Sequence, residues 1–295
     1  MRPEEDLQPW FSWFAATDAE LPEGASLECK MLGDHACIRI LMGGTWTAET
    51  RDGAMTLDPG AEGKTYYFGP QSKAMPIAVT GSFKVVTIHL GAGAASALGG
   101  PSQQDMVDRI VEHRSLVGHG ELATRFDPDA GPEQWYRAFA AELRTFMQRN
   151  GTPRPDPVTL AFEDQSLTNP AMVLHDFAET MDISVRTLER LIRKDYGLTP
   201  KQVMRRARAL DLASALLGVA MDDDEAEMRL RYYDQSHQIR EMKHFFGMTP
   251  KQLRDGGHPL LRLNLEIRQT RRISALGRLP DDAPMPWRDP GAEPV

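Results

Sequence analysis

The sequence predicts an α+β chain in two halves: a β-rich, barrel-like N-terminal domain carrying helices, then an all-α C-terminal domain. Three observations carry this. Short apolar runs between residues 26 and 90, punctuated by hairpin-like signals such as "RDGA" and "TGS", read as strands. A proline-rich stretch, "GTPRPDP", follows as a linker. Beyond it the phrase "GLTPKQ", starting at Gly197, returns as "GMTPKQ" at Gly247, and such self-similarity points to a duplicated helical unit. The boundaries that follow are 1–150 for the first domain, 151–157 for the linker, 158–279 for the second domain with an extension, and 280–295 for a proline-rich, acidic tail read as disordered.

In chain order, the opening "MRPEEDLQPWFSWF" is acidic and then amphipathic, unlike the basic and then apolar start of a signal peptide. The strand candidates are "CIRILMG", "TWTAET", "MTLDP", "TYYFGP" and "FKVVTIHL". A helix is expected over "PSQQDMVDRIVEHRSLVG", capped by Ser102, with Met106, Ile110 and Val111 inward. A second, "PEQWYRAFAAELRTFMQRN", sets Trp135, Phe139, Leu143 and Phe146 on one face, either as a dimer seam or packed on the β domain.

Chemistry-bearing patterns are absent from this half. The eight histidines of the whole chain, four of them in this half, form no metal-spaced cluster, and there is neither a nucleophile elbow nor a phosphate loop. No catalytic residue, metal ligand or cofactor is assigned, and the chain is read as not an enzyme. His89 alternates with Ile88 and Leu90 and suits a core or edge position better than a ligand. Trp10, Trp13, Trp46, Tyr66 and Tyr67 fit a core more readily than a small-molecule pocket.

In the second half, "NPAMVLHDFAETMDI" reads as a short helix with Pro170 at its first position and Val173, Leu174, Phe177 and Met181 inward. After a turn, Ser184 caps a helix that buries Leu188, Leu191 and Ile192 and turns Arg186, Glu189, Arg190, Arg193 and Lys194 outward. Each repeated phrase is a stop and a start. Its glycine ends one helix in a left-handed turn, its threonine and glutamine form a capping box, and its proline takes the first helical position. Helix, tight turn and basic-faced helix make a helix-turn-helix pattern. The helix from Pro200 to about Leu217 spans about 27 Å at about 1.5 Å per residue. Its stripe is Val203, Ala207, Leu210, Ala213 and Leu217, while Arg205, Arg206 and Arg208 face phosphate or solvent. In "GGHPLLRLNLEIRQTRRISALGR", Leu261, Leu263, Leu265 and Ile267 alternate like a strand before the pattern turns helical, and Arg268, Arg271 and Arg272 are further candidates for phosphate.

The stretch "FAETMDISVRTLERLIRKDYGLTPKQVMRRARALDLASALL" followed by "YYDQSHQIREMKHFFGMTPKQLR" resembles the DNA-binding domain of AraC/XylS-type transcription regulators over roughly residues 158 to 255. The resemblance implies two helix-turn-helix units joined by one long helix, whose recognition helices (about 184–196 and 234–246) enter successive major-groove segments of double-stranded DNA. By resemblance and by face, the base-reading candidates are Arg186, Glu189 and Arg190 in the first unit and Gln235, Ser236 and Arg240 in the second. Glu189 could equally form an ion pair with Arg186 or Arg193. Arg193, Lys194 and Lys243 are candidates for phosphate, and His237 for phosphate or helix-start packing. The chain departs from the pattern at Asp182, at Ala226 and Glu227, at Arg231 and at Gln238. These departures leave open a non-enzymatic interaction protein with a degenerate second unit. A weaker resemblance of "FGPQS" and "FKVVTIHLGAGA" to the β domain of some such regulators implies a sensing or dimerising module. A small-molecule effector and a homodimer are therefore open, as is RNA polymerase if the chain activates.

The net charge of −8 is unusual for a DNA binder. It divides as −7 over residues 1–157 (14 basic, 21 acidic), +2 over 158–279 (19 and 17) and −3 over 280–295 (1 and 4), yet 183–208 alone holds +6 (8 and 2). The local field governs docking, and the weak overall balance predicts modest non-specific binding. Two cysteines make no disulfide framework, and no run approaches the roughly 18 apolar residues of a membrane helix. A cytoplasmic setting is expected.

Overall fold

The computed structural model describes residues 1–112, 127, 129–221, 228, 234–278, 285 and 287. The expected disordered tail and the departures at Ala226, Glu227 and Arg231 thus fall almost wholly outside the described residues. In chain order the elements are β1 Phe11–Ala19, β2 Ser26–Met31, β3 Cys37–Thr50, β4 Gly53–Leu57, β5 Lys64–Phe68, β6 Met75–Leu90, α1 Ala94–Ala97, β7 Ile110–Glu112, α2 Pro132–Asn150, α3 Pro157–Thr168, α4 Leu174–Thr180, α5 Val185–Tyr196, α6 Pro200–Leu216, α7 Gln235–Phe246, α8 Pro250–Asp255 and α9 Pro259–Ala275.

The strands form one antiparallel sheet ordered β1-β6-β3-β5-β7, with β2 added to the first half of β6 and β4 to the second half of β3. Two of the expected strands, "CIRILMG" and "TWTAET", are the two halves of β3. Their junction is a bulge against β6, where the register shifts between Gly43 and Thr45. Glycine is required there: Gly44 has φ 63°, and a Cβ on it would lie 2.8 Å from Val79 Cγ2. "TGS" is part of this irregularity inside β6 rather than a hairpin. "RDGA" is the two-residue hairpin between β3 and β4 that its letters suggested.

The helix expected from Ser102 is not formed. Asp108 takes a left-handed backbone (φ 57°), its carboxylate accepts the Ser72 N–H at 2.8 Å, and Ile110–Glu112 then pair as β7 with β5. Unpaired N–H and C=O groups on the β5 edge outweigh the helical spacing of Met106 and Ile110. Residues 113–118 of that segment lie outside the described residues.

One face of the sheet carries α2. Trp135, Phe139 and Leu143 are buried against Phe11, Phe14, Ile38, Val86 and Ile88, with the Phe11 and Phe139 rings edge-to-face at 5.2 Å. Each such ring contributes roughly 1.5–3 kcal/mol by leaving water, so this helix packs on the β domain and the seam reading is not needed for its aromatic face. Of the five pocket-candidate aromatics, Trp10, Trp46, Tyr66 and Tyr67 are buried core and Trp13 is half-buried.

The opposite face belongs to the helical half. Met31, Leu41, Trp46, Val79 and Phe83 share one apolar cluster with Leu210 and Ala213 of α6, Met242 and Phe246 of α7, and Leu261 and Leu265 of α9. α9 is helical throughout, because Leu261, Leu265, Gln269 and Ile273 recur at helical spacing on its buried side while Leu263 points outward. A third cluster builds the first helix-turn-helix from Phe162, Phe177, Leu188, Ile192 and Val203. Its first helix begins later than expected. Pro170 precedes it, and Val173, 58% exposed, is its N-cap rather than a core residue.

Candidate DNA-reading surface

The two repeated phrases build two similarly capped frames. In the first, the Ser184 hydroxyl accepts the Thr187 N–H at 3.1 Å to start α5, and Gly197 (φ 71°) ends it. Thr199 and Gln202 then cap α6 reciprocally, with the Gln202 N–H donating to Thr199 Oγ1 at 3.2 Å and the Thr199 N–H to Gln202 Oε1 at 2.9 Å. In the second, the Asp234 carboxylate accepts the His237 N–H at 2.6 Å to start α7, Gly247 (φ 63°) ends it, and Thr249 and Gln252 repeat the same box. Asp182, where a glycine is more usual, holds φ 53° in the turn before α5, a conformation that Asp tolerates better than most side chains.

On α5, Arg186, Glu189, Arg190, Arg193 and Lys194 are all exposed, and Glu189 pairs with neither Arg186 nor Arg193 among the described residues. On α7, Gln235, Ser236, Arg240 and Lys243 are exposed and His237 and Gln238 are half-buried. α5 leads into the first turn of α6 through Gly197 and Leu198, and α7 packs on α6 through Glu241, beside Arg205, and through the cluster that joins Met242 and Phe246 to Leu210 and Ala213; the 17 residues of α6 make a rod of about 26 Å at about 1.5 Å each.

The arginines of the rod and of α9 do not join that surface. Arg205 pairs with Glu241 of α7 (Nη2 to Oε1, 2.7 Å), and Arg208 donates to the Pro170 carbonyl at 2.8 Å. Arg206 is 1% exposed and donates to the carbonyls of Gln71, at 2.6 Å, and Asp34. The assignment of Arg205, Arg206 and Arg208 to phosphate or solvent is therefore corrected. Arg268, Arg271 and Arg272 are corrected likewise, since all three turn inward.

Their partners form a buried ionic brace between sheet and helices. Arg268, 3% exposed, reaches Asp34 of the β2–β3 turn at 2.6 Å and Asp211 of α6 at 2.9 Å. Arg272 lies 3.7 Å from Asp211 and donates to the Leu167 carbonyl at 2.9 Å. Glu163 of α3 is held by Arg271, by His35 Nε2 at 2.9 Å and by the Ala92 N–H at 3.1 Å. Burial favours the neutral acids, but the cations outweigh it. Arg268, His35, Arg206 and Arg271 hold Asp34 at about 2, and His35 and Arg271 hold Glu163 well below the usual range.

The sheet domain also meets α5 and α7 at their C-terminal ends. The Ala74 N–H donates to the Phe245 carbonyl at 2.6 Å and Lys30 Nζ to the Phe246 carbonyl at 3.2 Å. At the end of α5, a Cβ on Gly197 would come 2.7 Å from Val107 Cγ2 and closer still to the Gln103 carbonyl oxygen. Thr159 Oγ1 donates to Asp195 at 2.7 Å. Sequence reasoning missed Asp34, His35, Glu163 and Asp211 altogether. Asp211, a lone acid inside the apolar stripe of α6, was the one local signal.

Among the described residues no group of three or more His, Cys, Asp and Glu is placed to hold a metal ion, and no helix is long and apolar enough to cross a membrane. Cys29 and Cys37 are free and buried.

Residues 177–256 match the family model described as a helix-turn-helix domain. No curated protein matches the chain. Among solved structures, an apo variant of ToxT from Vibrio cholerae strain SCE256 is similar at 10% identity and TM-score 0.45, over 81% of this chain and 96% of that one. Unsaturated fatty acid-bound wild-type ToxT from the same strain is similar at 10% identity and TM-score 0.44, over 81% and 94%. ToxT from Vibrio cholerae O395 bound to (E)-4-(8-methylnaphthalen-1-yl)but-3-enoic acid is similar at 8% identity and TM-score 0.44, over 86% and 99%.

Proposed function

We propose, for a chain whose C-terminal region is an AraC-type helix-turn-helix domain, a sequence-specific DNA-binding transcription regulator that reads two successive major-groove segments and is controlled by its N-terminal domain. The observation that carries this is the pair of similarly capped helices that both pack on α6, each turning its polar residues to solvent. One turn of B-DNA is about 34 Å, a spacing that two heads packed on a rod of this length can span from one side.

In this reading Arg186, Glu189 and Arg190 of α5 and Gln235, Ser236 and Arg240 of α7 meet base edges. Arginine chelates guanine O6 and N7, glutamine pairs with adenine, and glutamate accepts from cytosine N4. Arg193, Lys194 and Lys243, one turn further along, take phosphates, as does His237 beside its capped helix start. Residues 1–150 act as the sensing or dimerising module and 151–157 join it to the reader. Control works through the brace: the domain that holds the C-terminal ends of α5 and α7 sets the distance and angle between the two heads. A change there biases which DNA geometry the chain fits, as a two-state element must.

The test is footprinting of the full-length chain on fragments selected from pooled genomic DNA, titrated at two salt concentrations. Protection of two adjacent major-groove segments with a defined consensus is expected. Protection of one segment would make the second unit a brace only, and no preferred fragment at either salt would contradict the reading.

A further inference from the structure

Val185 opens α5 and is the large apolar side chain that a reading helix turns to solvent. Among the described residues four large apolar side chains stand exposed, namely Met1, Val173, Val185 and Leu263, and of these only Val185, at 38%, lies on α5 or α7. It is the first residue after the Ser184 cap. Leu188 and Ile192, three and seven residues on, share its side of the helix and are wholly buried. The apolar row of α5 therefore runs on past the body of the protein, at the end where Arg186, Glu189 and Arg190 face solvent.

The repeat sets this residue in register with the second head. The interval from Gly197 to Gly247 carries Val185 onto Gln235, the first residue of α7, which is exposed as well. The two heads thus present different chemistry from the same position: a carboxamide on one, a pair of methyl groups on the other. A helical Cα–Cβ bond tilts towards the N-terminus, so both side chains lean ahead of the first turn. In helix-turn-helix docking the N-terminal residues of the second helix meet the base edges. Valine in a helix keeps essentially one χ1 rotamer, so it loses little conformational freedom on contact.

The geometry points to Val185 as a specificity-determining residue that reads the C5-methyl group of a thymine in the segment that α5 enters. That methyl is the apolar group a T·A pair shows in the major groove, and a cytosine in its place lacks it. Contact between the two takes apolar surface out of water on both sides. The first head thus combines charged readers with one apolar reader, while Gln235 favours adenine at the matching place in the second. This inference rests on the reading of α5 as a major-groove helix.

The test uses the full-length chain and its protected site, synthesised with uracil at each thymine of the α5 segment in turn. Uracil keeps every hydrogen-bonding group of thymine and lacks only the methyl. At one position it is expected to weaken binding about fourfold, the effect of leaving one methyl-sized group unburied. Val185→Ser, and Val185→Gln, which copies the second head, should each bind the thymine and uracil forms equally. Methyl dependence retained by either variant would overturn the assignment to this residue. Arg190→Ala separates the inference from the reading beneath it. If that variant relaxes preference in the α5 segment while the parent chain tolerates uracil at every position, or selects no thymine there, the thymine contact is overturned and the major-groove helix stands. If Arg190→Ala leaves preference unchanged and the α5 segment is unprotected, both fall.

Discussion

Asp34, in the turn after β2, and Arg268, in the middle of α9, stand 2.6 Å apart, and the same guanidinium reaches Asp211 of α6 at 2.9 Å. One side chain thus ties the sheet, the rod and the C-terminal extension together, 234 residues from its partner in the turn. Removing one member leaves a buried charge alone, which costs about 3–5 kcal/mol. Arg268→Met should therefore lose that much stability in denaturant unfolding of the full chain. A loss under 1 kcal/mol would show that the brace carries no weight.

The same pair sets an acid limit. The Asp34 carboxyl is depressed from 3.8 to about 2 in the folded chain, so its contribution is complete above about pH 4 and is lost as pH falls through about 2. At about 1.4 kcal/mol per unit this is on the order of 2 kcal/mol. Glu163, also depressed, acts in the same direction. Unfolding free energy measured from pH 5 downward should fall in that window, and less steeply in Asp34→Asn.

Two glycines separate strain from contact. Gly151 (φ 56°) ends α2 in open space, so Gly151→Ala should cost only the left-handed strain, roughly 1–2 kcal/mol. Gly197 (φ 71°) has the same strain, but its Cβ would strike Val107 and Gln103. Gly197→Ala should therefore cost more than Gly151→Ala in paired unfolding curves and lower DNA affinity as well, since the end of α5 must move.

The readers are tested by where affinity is lost. Arg190→Ala and Arg240→Ala should each cost about 1–3 kcal/mol and relax sequence preference at one end of the site only. Arg193→Ala should weaken all sequences about equally and lower the salt slope by about 1. A selection experiment on each variant distinguishes the two patterns, and loss of preference at both ends from one substitution would contradict the assignment.

What was legible in the sequence was local. Caps, left-handed glycines and prolines act within four residues, so the two frames around α5 and α7 could be placed from their letters. β3 was visible as two runs and β6 by its second half, but β1 was not, because "FSWFAATDA" shows no clean alternation, nor were β2 and the first half of β6, and β7 was not, because three residues at an edge leave no period. Leu261 and Leu263 looked strand-like, and only packing against α6 and β2 decided for α9. The inward arginines were read as outward because charge alone does not reveal a partner. Asp34 and Glu163 lie 234 and 108 residues from the guanidiniums that neutralise them, a distance that no local pattern encodes.

The proposal that α5 and α7 read DNA at a fixed spacing is tested most directly on DNA. Once the protected site is known, about 5 base pairs, half a helical turn of about 10–10.5, are inserted between its two segments, and affinity is measured beside an insertion of a full turn. The rod predicts that the half-turn insertion reduces binding to that of one segment alone, with no recovery at the full turn because α6 cannot lengthen. Binding unchanged by the half-turn insertion would contradict two heads fixed on one helix.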